Sequence, residues 1–418
     1  MLIQHLSLTN IRNYSRLELD LSPGSTLLHG DNAQGKTNLL EAIYYLATTR
    51  SPQAERDRQL INWDADDPGE PIVVGRLVTH LSTLQGDIEL EMRLIRELNR
   101  GNPSFRREAL VNRRKVRLMD LIGNLRVVLF LPEDVQIITG SPSQRRRYID
   151  ITLCQTDRDY CRALSDYNKT LEQRNALLRR IAETGSGMDL LPVYDENLAK
   201  LGSVIFLKRG YFISKLAVEA QRVHFEELTD GKETLALGYL PRLSLPRPRL
   251  PQPDERSKSQ ANQGPNKQAI EDYKWLQDQS NWDHLFERFL EELTKIRDGE
   301  IASGMTRIGP HRDDWRLWVN GREMSAFGSR GQQRSGILAI KLAEILWMES
   351  QTGDKPVLLL DEVVAELDET RRALILAAVT NASQSILTAT DPGMFTNSFL
   401  EQAALMRVDA GRISQDQR

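Results

Sequence analysis

Two short stretches of this 418-residue chain carry residue types able to handle a triphosphate, and more than 300 residues separate them. The first is Gly30-Asp31-Asn32-Ala33-Gln34-Gly35-Lys36-Thr37, which fits GxxxxGK[ST]. At average residue frequencies such a match arises by chance about 0.01 times in a chain of this length. The glycines let successive backbone N–H groups turn inward around phosphate oxygens, and a helix opening at the motif adds its positive end. In that chemistry Lys36 neutralises the β- and γ-phosphates and Thr37 offers its hydroxyl to Mg²⁺. The bland alternative is a glycine turn capping an ordinary helix. The short apolar run before Gly30 and the helical spacing of Leu39, Leu40, Ile43 and Leu46 after it favour the phosphate loop.

The second stretch is Val357-Leu358-Leu359-Leu360-Asp361-Glu362. Four apolar residues read as a strand buried on both faces. Two acids follow at its carboxyl end, where open α/β sheets collect their ligands. Asp361 is expected to act on Mg²⁺, directly or through water, and Glu362 to orient and polarise the attacking water. In isolation the pair reads equally well as two solvated acids; beside a phosphate loop the catalytic reading is favoured. Just before this strand, Phe327-Gly328-Ser329-Arg330-Gly331-Gln332-Gln333-Arg334 opens a helix with Ser329 near its cap. A hydroxyl, a glycine permitting close approach and a helix N-terminus together suit the gripping of a phosphate.

These groups need a scaffold, and the chain alternates in texture. Leu17, Leu19 and Leu21 alternate with Glu18 and Asp20 as in a half-buried strand, and further strands are expected in PIVVGRLVTH, DIELEMRLI and RVVLFL. Residues 143–184 read as one helical run, with Tyr160, Leu164, Tyr167, Leu171 and Leu178 at helical spacing. This suggests a helical hairpin or a short arm, with core packing as the plainer use of the stripe. More helix is expected over 196–228 and 283–296. Residues 241–268 hold six of the 17 prolines among polar residues and read as an exposed, mobile loop. After residue 300 strands return: Asn320-Gly321 within DDWRLWVNGREM signals a hairpin. A helix over 331–349, the Val357 strand, another helix and the strand QSILTATD then imply a largely parallel sheet. The expected division is 1–140 and 301–418 as two parts of one α/β domain, with 141–300 as a mostly helical insertion.

Composition bounds the rest. A hydrophobic fraction of 40% with 27% charged residues fits a globular protein. No apolar run approaches the roughly 20 residues of a membrane span, and the N-terminus lacks the pattern of a secretory signal. Cys154 and Cys161 sit in a helical pattern without CxxC spacing, which argues against structural zinc and disulfides and for a reducing cytoplasm. The net charge of -3 does not announce a nucleic-acid binder. Nine basic residues stand against two acidic ones between Arg93 and Arg117, however, and Arg145-Arg146-Arg147 forms a second cluster. Either is compatible with phosphate contacts and equally with a solvated face. His311, Arg312, Asp313 and Asp314 look catalytic, yet without a second histidine at metal spacing a structural or communicating loop near the nucleotide is favoured over a hydrolase site.

The Ser-x-Gly-Gln-Gln sequence from Ser329 resembles the signature of ABC-type ATPases, in which it closes on the nucleotide held by the phosphate loop of a second subunit. Ala365-Glu366-Leu367-Asp368 looks like that family's D-loop. The segment 387–391 stands where such ATPases carry a switch histidine, and here a threonine replaces it. A Q-loop glutamine is not found near LFLPED, where Glu133 and Asp134 are the available acids. Arg12 and Asn13 are weak nucleotide-contact candidates, with a surface turn favoured. The split head, together with LTNIRNYSRLELDL, FLPEDVQIITGSPSQRRRYID, TRIGPHRDDWRLWVNG and GQQRSGILAIKLAE, resembles the RecF family of SMC-like proteins over essentially the whole chain. The 241–268 loop matches nothing characteristic of it.

That resemblance implies an ABC/SMC-type P-loop ATPase head split by a helical insertion. It implies slow, DNA-dependent ATP hydrolysis between two protomers, with Lys36 and Glu362 catalytic. ATP would be held by residues 30–37 and by Ser329, Gly331 and Gln332, and Mg²⁺ by Thr37 and Asp361. It also implies binding to single-stranded, gapped or junction DNA, a RecR-type partner, recombinase loading, and a part in replication, repair and the SOS response. Arg106, Arg107, Arg113, Arg114 and Lys115 become candidate DNA-phosphate contacts. The rival readings are another SMC-like chromosome or nuclease ATPase, whose arms need far longer insertions, and a transporter ATPase subunit, which would carry the switch histidine.

Overall fold

A computed structural model describes residues 1–65, 70–99, 102–244 and 275–416. The chain divides into two compact units. One comprises Met1–Asp134, Cys154–Thr156 and Glu344–Arg418; the other comprises Val135–Leu153 and Asp157–Ala343. Both ends of the chain thus fold together around an inserted segment. The insertion runs further than the expected 300. Residues 301–343 go with the second unit, where Asp314–Val319 pairs antiparallel with Leu235–Leu240, Trp315 opposite Tyr239 and Leu317 opposite Leu237. The strands that return after residue 300 form this local sheet, and the parallel sheet resumes only at Val357.

In the first unit, one six-stranded antiparallel sheet has the order Tyr14–Asp20, Leu2–Ile11, Ile72–Thr83, Gly86–Asn99, Asn102–Val111, Arg114–Val116. Its one-sided burial is visible at Tyr14–Asp20, where Leu17 and Leu19 are buried and Arg16, Glu18 and Asp20 exposed. A second six-stranded sheet has the order Arg412–Gln415, Ala404–Asp409, Gly24–His29, Gln384–Ala389, Val357–Asp361, Val127–Phe130, parallel except at the Arg412–Gln415 edge. Val357, Leu358, Leu359 and Leu360 are each at most 1% exposed, and each such side chain is worth about 1.5–3 kcal/mol of burial, so this strand is a firm mount for Asp361. Helix Lys36–Thr48 packs against strands of both sheets and joins them into one core.

In the second unit, the expected continuous helix over 143–184 is two helices, Pro142–Thr156 and Arg158–Thr184. Asp157 breaks it: its backbone is extended, and its side chain accepts from the N–H of Tyr160 to cap the second helix. Arg158–Thr184 and Leu191–Arg222 pack together as the expected hairpin, turning at Gly185 and Gly187, and Trp282–Ser303 packs on both. A π-helical turn, Val223–Leu228, ends the long second helix. Arg174, fully buried, ties three helices' worth of chain together through Asp195 (2.8 Å), Glu300 (2.7 Å) and Thr306 (2.7 Å). The Asn320-Gly321 hairpin forms as expected between Asp314–Val319 and Arg322–Glu323. The loop expected over 241–268 lies, from residue 245 onward, outside the described residues. Cys154 and Cys161 are buried and not joined in a disulfide. Among the described residues no helix is long and apolar enough to cross a membrane.

Candidate active site

Strand Gly24–His29 delivers the chain into the loop at Gly30. Gly30 has φ +143, and a Cβ there would lie 2.4 Å from the Val408 carbonyl oxygen, so only glycine fits beside strand Ala404–Asp409. Asp31, Asn32 and Ala33 form the exposed crest, with Ala33 in the left-handed region at φ 65. Helix Lys36–Thr48 then opens from Gly35, whose lack of a side chain leaves the first-turn N–H groups uncapped from that position.

The Lys36 side chain is only 3% exposed. Its Nζ donates to the carbonyls of Gly30 (2.7 Å) and Asp31 (2.9 Å) and lies 3.4 Å from Glu362 Oε1. The ammonium is therefore folded over its own loop, at the place where phosphate oxygens would compete for it. One residue on, Thr37 Oγ1 donates to Asp361 Oδ1 at 2.9 Å. Thr388, beside Asp361 on the neighbouring parallel strand, donates to the same Oδ1 at 2.8 Å and accepts from the Glu362 N–H at 2.9 Å. Glu362 itself has φ 51.

Burial pushes the Asp361 pKa above the usual carboxylate range. The Thr388 and Thr37 hydroxyls act the other way, and the charges of Glu362 and Glu133 add to the rise. A nearby cation would reverse this. The Thr37 hydroxyl and the Asp361 carboxylate are a pair of hard oxygen donors, the kind Mg²⁺ takes alongside phosphate oxygens and water. Among the described residues no group of three or more His, Cys, Asp or Glu could hold a metal ion.

The loop is braced from behind by residues that the motif does not contain. Gln34 turns away from the crest: its Oε1 accepts from the Ala410 N–H (2.7 Å), and its carbonyl accepts from Gly411 N–H (3.0 Å) and from Asn13 Nδ2 (2.8 Å). Asn13 also accepts from Asn38 Nδ2 at 2.8 Å, and Tyr14 OH donates to the Gly35 carbonyl at 2.8 Å. Arg12 and Asn13 form the expected turn, between strands Leu2–Ile11 and Tyr14–Asp20, and both are half-buried rather than fully on the surface. Arg12, at φ 50, forks onto the buried Glu41 carboxylate at 2.7 and 2.8 Å, and Glu41 also accepts from Ser51. The only sequence signal was an Arg-Asn pair at a strand end.

In the second unit, Ser329 caps helix Arg330–Thr352 reciprocally. Its Oγ accepts from the Gln332 N–H (3.2 Å), and Gln332 Oε1 accepts from the Ser329 N–H (2.9 Å). Gln332 Nε2 donates to Glu233 at 2.7 Å, fixing the amide. Ser329 and Phe327 are exposed at this end of the helix, and Gly331 follows in its first turn. In the first unit the D-loop-like residues form a short turn, Val363–Glu366, and Asp368 caps the next helix, Glu369–Asn381. Glu362, Ala365, Glu366 and Thr390 line one cleft with Pro132 and Phe395. Asp134 caps its own turn through the Leu131 N–H.

The arginine run at 145–147 is not a free basic face. Arg145 forks onto Asp314 at 2.6 and 2.9 Å, and Arg146 donates to the Asp313 carbonyl at 2.6 Å. Asp313 is buried against Arg209, Tyr239 and the Arg242 N–H, and His311 is held between Tyr167 OH and the Thr306 carbonyl. The His311–Asp314 cluster is accordingly a structural loop. The strands carrying the other basic cluster form an ion-pair lattice: Arg106 with Glu97 and Glu108, Arg107 with Asp57, Arg113 with Glu89, Lys115 with Glu108. Arg114 is exposed on the same hairpin.

Comparison with known proteins agrees with this geometry. The family model of the RecF/RecN/SMC N-terminal domain matches residues 2–414. The chain is 39% identical over 423 residues to the DNA replication and repair protein RecF of Roseiflexus castenholzii, covering 99% of each chain. It is 39% identical over 426 residues to that of Herpetosiphon aurantiacus, again covering 99% of each. Among solved structures it is similar to the recombination mediator protein RecF with ATPrS in the RecFOR pathway (TM-score 0.79, 29% identity, 100% of this chain and 98% of that one). It is also similar to RecF with ATP (TM-score 0.78, 29% identity, 99% and 97%).

Proposed function

The chain belongs to the RecF family of the RecF/RecN/SMC group, and from that premise we propose that it is an ATP-dependent DNA-binding protein of recombinational repair and replication-fork maintenance. The observation that carries the reading is the convergence of Lys36, Thr37, Asp361 and Glu362 within 3.4 Å contacts at the end of a parallel sheet. ATP is the nucleotide, in keeping with the solved RecF structures that carry ATP or ATPrS. Lys36 draws the terminal phosphates into the loop, the N–H groups of residues 30–37 cradle them, and Thr37 with Asp361 would hold Mg²⁺. The cation, when bound, offsets charge on the phosphates. Glu362 orients water for a slow, DNA-dependent hydrolysis.

The exposed Ser329, with the half-buried Gly331 and Gln332 behind it, completes the site from a second copy of the chain. ATP then acts first as an adhesive between two protomers, and its hydrolysis releases them. The dimer grips single-stranded, gapped or junction DNA in the cytoplasm and, with a RecR-type partner, helps load recombinase. Binding is by DNA structure rather than base sequence. Arg114 and its neighbours on the hairpin are the phosphate contacts that their ion pairs leave most accessible.

The test is DNA binding to gapped, single-stranded and duplex substrates, with and without ATP, for wild type and Lys36→Met. Binding of gapped DNA that ATP strengthens in wild type alone is the expected result. Equal affinity across substrates, nucleotide states and both proteins would overturn the reading.

A further inference from the structure

We propose that Thr388 is a positioning residue for ATP hydrolysis, fixing the Asp361 carboxylate and the backbone of Glu362 in one arrangement through a single hydroxyl. The inference rests on the reading of the site as an ATPase.

The geometry leaves the hydroxyl little freedom. Thr388 is 1% exposed on Gln384–Ala389, directly beside Asp361 in the parallel register. A hydroxyl has one hydrogen and two lone pairs. The hydrogen goes to Asp361 Oδ1 at 2.8 Å rather than to the Leu360 carbonyl at 3.5 Å. The Glu362 N–H, 2.9 Å away, takes a lone pair. One oxygen therefore holds the side chain of the first acid and the backbone of the second.

The second contact matters because Glu362 sits at φ 51, a conformation that a residue with a Cβ keeps only when its surroundings hold it there. From that bend its carboxylate comes 3.4 Å from Lys36 Nζ. Thr37 also donates to Asp361 Oδ1, at 2.9 Å, but its hydroxyl is the one expected to turn to Mg²⁺ once nucleotide binds. Thr388, on the strand between Gly24–His29 and Val357–Asp361, is the partner that stays. Its β-branched side chain has few rotamers, so the hydroxyl does not swing away.

A hydroxyl that merely satisfied buried polar atoms would affect folding without separating catalysis from binding. Thr388→Val keeps the shape and removes both hydrogen bonds, whereas Thr388→Ser keeps both. Steady-state hydrolysis and sedimentation velocity with ATP distinguish the two roles. The expected outcome for Thr388→Val is a KM for ATP within about twofold of wild type and a kcat lower by about tenfold or more. Its ATP-dependent dimer should form and outlast that of wild type, and Thr388→Ser should recover most of kcat. Wild-type kcat in Thr388→Val, equal losses in kcat and affinity, or a serine variant as impaired as the valine one would overturn the proposal. Should the valine variant fail to fold, Thr388→Ala is read by the same criteria. A wild type that hydrolyses no ATP overturns the underlying function together with this inference; an active wild type beside an unaffected Thr388→Val overturns this inference alone.

Discussion

The ammonium of Lys36 lies 3.4 Å from the Glu362 carboxylate while donating to the carbonyls of Gly30 and Asp31. The charge is buried, and its partners are its own loop and Glu362. Phosphate oxygens must take over those contacts when nucleotide enters. The lysine thereby links an occupied loop to a freed Glu362.

Lys36→Met removes the cation and leaves the loop's shape to its glycines. Charge-assisted hydrogen bonds are worth about 1.5–3 kcal/mol each, so ATP affinity should fall by about tenfold to a hundredfold. Equilibrium binding of a fluorescent ATP analogue measures this. Unchanged affinity would remove Lys36 from the phosphate site.

The brace behind the loop makes a second expectation. Gly411 has φ +75, and a Cβ on it would stand 2.4 Å from the Asn13 carbonyl oxygen. Gly411→Ala should therefore push the Ala410–Gly411 turn off Gln34, costing about 1–3 kcal/mol through strain and crowding. Thermal unfolding should show a lower Tm, and ATP affinity should drop with it. A variant with the parent's Tm would mean that the turn does not brace the loop.

Much of the candidate site's local structure was legible because its parts are contiguous: a loop motif that opens a helix, and two acids that end an apolar strand. What braces it was not. Gln34 meets Ala410 and Asp361 meets Thr388 only through strand register, and register between distant segments is not written in either one. The run at 145–147 shows the opposite failure. Three adjacent arginines look like a phosphate patch, but a charge run does not disclose that Arg145 is buried on a carboxylate 169 residues away or that Arg146 donates to a carbonyl 167 residues away. The helix break at Asp157 was hidden because the apolar stripe begins only at Tyr160 and does not report on the residues before it, although an aspartate three residues before Tyr160 is itself a cap signal. Residues 301–343 were grouped with the C-terminal part by chain order, whereas their pairing with Leu235–Leu240 decides their unit.

His311 gives the second unit a pH dependence of definite sign. Burial, with the charges of Arg312, Arg146 and Arg174 adding to it, lowers its pKa from 6.5 to about 4, against a smaller opposite effect from the Thr306 carbonyl. Its Nε2–H can donate to Thr306 and its Nδ1 accept from Tyr167, which defines a neutral ring. The unfolded chain takes up the proton near 6.5 and the folded one only near 4. The stabilising contribution is complete above pH 6.5 and is lost as the pH falls from there towards 4. The loss is on the order of 3 kcal/mol. Denaturant unfolding at pH 7.5 and 4.5 should show a smaller pH effect in His311→Gln than in wild type. Identical pH effects would contradict a buried neutral His311.

In the proposed dimer one ATP is enclosed by the Lys36 loop of one protomer and the Ser329 helix of another, and mixing two inactive variants tests that enclosure. Lys36→Met spoils every loop in its own dimer, and Ser329→Arg spoils every signature in its own. A mixed dimer rebuilds one intact site, from the loop of the Ser329→Arg chain and the helix of the Lys36→Met chain. The expected result is ATP hydrolysis that appears on mixing and is absent from either variant alone. A mixture as inactive as its parts, from two folded variants of an active wild type, would contradict the shared site.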